Sequence, residues 1–251
     1  GFLASFAAAL TVPRLSWANA GSPAFLAAAK QGDGFVLCGL APDGQIVFRI
    51  PLPARGHAAA AHPIRPEAVG FARRPGTFAL VIDCARGEVA HRLTPPEGRQ
   101  FNGHGAFSAD GLLLYTSEVV AETSEGRIGV WDAAHGYARI DEWPSHGIGP
   151  HELRRMGDGT LVVANGGIQT DPTDRRKLNL DTMRPNLTYL SAEGALLDQV
   201  TLHPDLHQAS IRHLALGADG TVACALQWEG DPAEAVPLLA LHRRGQPVVM
   251  C

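Results

Sequence analysis

A histidine followed at similar distance by an Asp-Gly turn and an aliphatic run occurs three times in this chain. The copies lead from His104 to Asp110-Gly111 and Leu112-Leu113-Leu114, from His151 to Asp158-Gly159 and Leu161-Val162-Val163, and from His213 to Asp219-Gly220 and Val222. A fourth stretch, from Glu67 to Pro75-Gly76 and Phe78-Ala79-Leu80, keeps the pattern with a carboxylate near the histidine's place. Two short apolar runs joined by a Gly-containing turn read as a β-hairpin. A hairpin unit recurring at intervals of tens of residues points to a repeat architecture. If the units are related by rotation, equivalent positions converge on one axis. His104, His151, His213 and Glu67 then face a common centre.

From His104 to His151 is 47 residues, and from His151 to His213 is 62. The first interval suits one four-stranded propeller blade, and the second a blade carrying an insertion. Residues 166–185 supply it, with the polar, turn-rich run Asp171-Pro172-Thr173-Asp174-Arg175-Arg176-Lys177. Long loops on repeat scaffolds gather on one face and often bind; a solvated excursion with no task is equally consistent. The fold expected is therefore all-β, a β-propeller of four-stranded blades, with about five blades in this chain. Pro247-Val248-Val249-Met250-Cys251 stops inside an apparent strand, so closing blades are expected beyond it.

Composition agrees. Of 251 residues, 45% are hydrophobic and only 18% charged, with 28 glycines and 18 prolines, which suits many short strands separated by turns. A net charge of −4 argues against nucleic acid or an anionic membrane as partner. The cysteines Cys38, Cys84, Cys224 and Cys251 show no CxxC spacing. A Cys38–Cys84 disulfide is conceivable in an oxidising compartment, but inert strand thiols are the expectation.

Residues 1–20 read differently. An apolar run from Gly1 to Leu10 and the small-residue segment Ser16-Trp17-Ala18-Asn19-Ala20 resemble the apolar core and cleavage site of an export signal. The run is too short to span a membrane. The domain expected after it covers 21–251, with a periplasmic location and no membrane span once the signal is removed.

Several segments carry a family resemblance: Leu52-Pro53-Ala54-Arg55-Gly56-His57, Asn102-Gly103-His104-Gly105, Ser145-His146-Gly147-Ile148-Gly149-Pro150-His151-Glu152 and Lys177-Leu178-Asn179-Leu180-Asp181. They resemble the bacterial family known as domain of unknown function 1513, over nearly the whole chain beyond residue 20. The resemblance implies an exported, seven-bladed propeller with a twin-arginine signal. It also implies imelysin-like and di-haem peroxidase-like neighbours that handle iron. One departure stands out: Asp171 occupies a position where the family pattern leads one to expect histidine.

Three imidazoles and a carboxylate, His104, His151, His213 and Glu67, form a credible site for iron, copper, zinc or manganese. Glu152 stands ready to fix the tautomer of the neighbouring His151. His57 and His146 sit in glycine-rich stretches where backbone can approach a ligand, Asn165 ends a strand beside Gly166-Gly167, and Arg55 and Arg212 could bind an anionic group. Three functions fit this set. The first is a metal- or iron-ligand-binding propeller in iron acquisition. The second is a metal-dependent lactonase or esterase with His57 or His146 as base. The third is a metal-free platform for protein partners. Against all of these stands the plain alternative that each histidine hydrogen-bonds a strand carbonyl.

Overall fold

The computed structural model describes residues 15–251. The export-signal expectation therefore lies mostly outside the described residues; its last part, Trp17–Ala20, forms a 3-10 turn whose Trp17 Nε1 donates to the His62 carbonyl at 2.9 Å. Nineteen strands follow, in five antiparallel sheets that are consecutive along the chain. The first sheet has three strands, β1 (Phe25–Gln31), β2 (Gly34–Leu40) and β3 (Ile46–Leu52). The second is β4 (Gly56–Ala61), β5 (Glu67–Ala72), β6 (Ala79–Asp83) and β7 (Glu88–Leu93). The third is β8 (Arg99–Phe107), β9 (Leu113–Val120), β10 (Glu125–Asp132) and β11 (Ala138–Ile148). The fourth is β12 (Pro150–Arg155), β13 (Leu161–Asn165), β14 (Asn186–Leu190) and β15 (Leu196–Thr201). The fifth is β16 (Ala209–Leu216), β17 (Val222–Trp228), β18 (Leu239–His242) and β19 (Val249–Met250).

Each sheet is a meander whose strands pair in sequence order, and the first strand of each packs on the first strand of the next: β1 on β4, β4 on β8, β8 on β12, β12 on β16. That is the blade arrangement expected, with the first blade one strand short of the four predicted. Side-chain alternation explains why the sheets stack. In β13, Leu161 and Val163 join a core with Tyr115, Ile128 and Val130 of the third blade, whereas Val162 and Ala164 join Ile211, Val222 and Cys224 of the fifth. In β6, Ala79 and Val81 face the third blade, and Leu80 and Ile82 the first. A strand buried on both faces reads as an unbroken apolar run, and one core lies between each consecutive pair of blades. Phe71, only 1% exposed at such a boundary, contributes about 1.5–3 kcal/mol by burial.

Three of the four cysteines, Cys38, Cys84 and Cys224, are buried and all four are free, so no disulfide joins Cys38 to Cys84. Burial pushes the Cys84 and Cys224 thiols up to about 12, which leaves them inert as nucleophiles. Among the described residues no helix is long and apolar enough to cross a membrane.

Candidate metal centre

The first strand of each of the last four blades carries one histidine: His57 on β4, His104 on β8, His151 on β12 and His213 on β16. Antiparallel pairing breaks register at or beside every one of them. The breaks fall between Gly56 and Ala59, Phe101 and Gly105, Pro150 and Glu152, and Ile211 and His213. A β-bulge turns a side chain out of the regular alternation, and four successive bulges turn four imidazoles toward one another. Ring centroids lie 4.9 Å apart for His57 and His104, 5.4 Å for His57 and His151, 4.9 Å for His104 and His151, and 4.8 Å for His151 and His213. Gly103, at φ 99°, makes this closeness attainable, because a Cβ there would sit 2.5 Å from the His57 ring.

His57, His104 and His151 each offer a ring nitrogen, and these nitrogens lie within 4.8 Å of one another. His104 and His151 are each 7% exposed, yet His104 Nε2 and His151 Nδ1 have no hydrogen-bond partner. Leaving a buried polar nitrogen unpaired costs about 1–3 kcal/mol, a cost that coordination to a metal would remove. Burial, and then the neighbouring His57 and His213, pushes His104 down to about 3. His57 keeps an exposed edge, but desolvation by the surrounding protein, aided by Arg74, still pushes it down to about 4. Burial also holds His151 well below the usual imidazole range. All three are therefore neutral near pH 7, the form that coordinates a metal.

His62 shows what a structural histidine looks like in the same chain. Its Nε2 lies 3.0 Å from the Gly111 carbonyl, and its Nδ1 accepts from the backbone of Ile64 and Arg65 at 3.0 and 2.9 Å. Both nitrogens are occupied, as those of His104 and His151 are not.

His213 stands beside the three rather than among them: its ring is 4.8 Å from that of His151, and its Nδ1 lies 3.2 Å from Glu152 Oε2. Glu152 thus serves His213 and not its chain neighbour His151. The same carboxylate accepts from the Leu214 backbone at 2.9 Å and from Arg154 Nε at 2.7 Å. This is a carboxylate fixing an imidazole's tautomer, with Nε2 left as the donor atom.

Glu67 is not part of the site. Tyr137 donates to it at 2.7 Å and Arg65 pairs with it at 3.1 Å. It begins β5, and because Gly56 pairs with Ala72 and Ala61 with Ala68, it lies at the far end of the sheet from His57. The stretch from Glu67 to Phe78 is the β5–β6 hairpin, one strand out of phase with the other three copies, which are the first hairpins of their blades. His57 fills the equivalent place. Its blade lacks the Asp-Gly turn, but His57 precedes His104 by the same 47 residues that separate His104 from His151.

The other candidates divide. His146 lies on β11, the outermost strand of its blade, at φ 57°. Asn165 is fully buried and fully used: it accepts from Ser145 Oγ at 2.7 Å and donates to the Ser145 carbonyl at 2.8 Å and to Asn186 Oδ1 at 2.8 Å. It stitches the third blade to the fourth. Arg212 lines a cavity of about 470 Å³ that also touches His57, His151 and His213. Arg55 lines an adjoining one of about 580 Å³ with His57. The long loop 166–185 reaches this face and supplies Thr170, Arg175 and Lys177 to the first cavity. Asp171 does not replace a ligand. It accepts from Thr173 Oγ1 at 2.6 Å and from the Thr173 backbone at 2.9 Å, bonds that hold its carboxyl down at about 2.

Comparison with known proteins supports the fold. A chain of the mitotic checkpoint complex is similar in shape, with a TM-score of 0.60 at 11% identity. The match covers 89% of this chain and 61% of that one. A protein of unknown function from Bacteroides caccae is 12% identical over 86% of this chain and 88% of its own, with a TM-score of 0.42. At 11% identity the likeness to the checkpoint-complex chain is one of fold alone. Among curated proteins none matches. One family model does match, over residues 50–251, which takes in the four histidine-bearing blades and the insertion, and this chain belongs to that family, Protein of unknown function (DUF1513).

Proposed function

We propose that this protein binds one transition-metal ion through His57, His104 and His151, with His213 beside them. The observation that carries the reading is the pair of buried, unpartnered nitrogens on His104 and His151, with a His57 nitrogen within 4.8 Å. Glu67 has left the set, so the donors are all imidazole. Neutral imidazole suits zinc, copper and iron, whereas manganese, calcium and magnesium favour oxygen. Three protein ligands leave coordination positions open to a small molecule. Of the two bases that the hydrolase reading named, His57 is taken into the proposed ligand set and His146 lies on an outer strand, so the metal-binding reading is preferred.

Iron is our preferred metal and the periplasm our preferred location, with imelysin-like and di-haem peroxidase-like proteins as partners. These rest on the family resemblance and on the leader-like composition of residues 1–20. The test is calorimetric titration of metal-free protein with Zn(II), Cu(II) and, anaerobically, Fe(II). One equivalent should bind at least one of them, and His104→Ala and His151→Ala should each remove that binding while circular dichroism stays unchanged. Binding indifferent to both substitutions would overturn the assignment.

A further inference from the structure

The chain is acidic overall, yet the face around the histidines is strongly cationic. Arg73, Arg74, Arg175, Lys177 and Arg212 all line the cavity of about 470 Å³ that touches His57, His151 and His213. Lys30 and Arg55 line the adjoining cavity, which shares His57 and Arg73 with the first. Neither cavity is lined by an aspartate or glutamate. Of the carboxylates beside the first cavity, Glu229 is committed to Lys177 and lies 3.8 Å from Arg212 Nη2, and Glu152 is committed to Arg154, His213 and the Leu214 backbone. Arg73, Arg74 and Arg175 have no ion-pair partner among the described residues, in a molecule where Arg99, Arg127, Arg139 and Arg154 are all paired.

Two further observations point to a ligand. Arg212 is 9% exposed and its Nε has no hydrogen-bond partner, the third such orphan at this face after His104 and His151. Arg74 is depressed to about 10, by burial first and then by Arg212, Arg175 and Arg73. Like charges gathered in a half-buried space repel one another, and an anion between them relieves both the repulsion and the unpaired donors. The guanidinium is the side chain whose planar fork matches carboxylate and phosphate oxygens in pairs.

We infer that this cavity binds a small, multiply charged oxyanion, a polycarboxylate or phosphate, clamped by Arg74, Arg175 and Arg212 directly against the histidine cluster. This deepens the metal reading by naming the class of molecule that would meet the open coordination positions. The clamp rests on the arginines alone, however, and does not need the metal. A cavity of about 470 Å³ falls within the range of small-molecule sites. Specificity then follows from charge: a neutral polyol of similar size lacks the partners the three guanidinium groups need.

The experiment uses citrate and inorganic phosphate as probes, with glucose as the neutral control, titrated calorimetrically into protein stripped of metal and desalted. Citrate or phosphate should bind and glucose should not. Arg74→Gln should weaken binding about tenfold or more, as loss of a charge-assisted contact does. Arg175→Gly, an exposed loop residue at φ 65° whose replacement leaves the core untouched, should weaken it several-fold. Arg49→Gln, exposed on β3, should leave it unchanged. Failure of both anions to bind metal-free protein in the millimolar range would overturn the inference, as would binding insensitive to Arg74→Gln and Arg175→Gly. Citrate binding to a protein that takes up no metal would sink the metal reading and leave this one standing. Anion binding that appears only with metal and ignores the arginines would do the reverse.

Discussion

Two buried polar clusters meet in the third blade, one across β9, β10 and β11 and the other reaching it through His104 on β8, and they are built on opposite terms. In the third blade, Glu118 is fully buried and accepts from Arg139 at 2.7 and 2.8 Å and from Thr116 at 2.5 Å. Arg139 turns its other nitrogen to Glu142, which also receives Arg99 and Arg127. Trp131 closes the group by donating to Thr116 at 2.9 Å. Every charge there has its complement. At the histidine face, by contrast, His104 Nε2, His151 Nδ1 and Arg212 Nε have none, and Arg73, Arg74 and Arg175 have no ion-pair partner among the described residues. The first network is complete within the protein, whereas the second has buried polar atoms that a bound metal or anion would satisfy.

Mutation should separate the two. The largest effect expected is on stability at the satisfied cluster: Glu118→Ala takes one of two carboxylate partners from the part-buried Arg139, leaving only Glu142, and should cost about 3 kcal/mol in urea denaturation, with metal binding by the remaining folded fraction unaltered. A loss under 1 kcal/mol would remove the contrast. Next, His151→Ala should lower metal affinity by about 100-fold or more, roughly 2.7 kcal/mol, while leaving the stability of metal-free protein unchanged or slightly raised, because it deletes an unpaired buried group. A large destabilisation instead would mean that His151 is architecture too. Glu152→Gln should leave metal binding within about threefold, because the His213 it orients stands beside the three ligands. A loss of tenfold or more would place His213 in the coordination sphere.

Acid should act gradually. His57 and His104 are held at about 4 and about 3 when folded and near 6.5 when unfolded. The unfolded chain therefore binds more protons, and the stability these groups contribute is complete above about pH 6.5 and drains as pH falls, toward about 4 for His57 and about 3 for His104. The slope is at most about 1.4 kcal/mol per pH unit for each histidine. His104→Ala should flatten it in metal-free protein, and an unaltered slope would show that other groups govern acid unfolding.

The blades were legible because Asp-Gly turns and two-faced apolar strands such as Leu161-Val162-Val163-Ala164 announce themselves locally. The same reliance on turns misplaced one ligand. The second blade opens with Pro63, Ile64, Arg65 and Pro66 between its first strands instead of Asp-Gly, so the pattern locked onto β5–β6 and put Glu67 where His57 belongs. The 47-residue spacing was the better ruler. The loop 166–185 was recognisable as an insertion, but no local pattern says that Arg175 and Lys177 fold back beside Arg74 and Arg212, since that depends on which face of the blades the loop crosses. The partnering of Glu152 with His213, 61 residues on, is equally invisible, because it arises only when β12 packs on β16.

Whether the unpaired histidines hold a metal can be seen directly. The direct test is anomalous diffraction from crystals of full-length protein purified without chelator or polyhistidine tag, with data on both sides of the absorption edge of the metal found by mass spectrometry. The account predicts one peak about 2.0–2.2 Å from ring nitrogens of His57, His104 and His151, absent in His151→Ala crystals. Its contradiction would be a map, from crystals soaked in zinc, copper and iron, with no peak among these rings, or with its peak at another histidine.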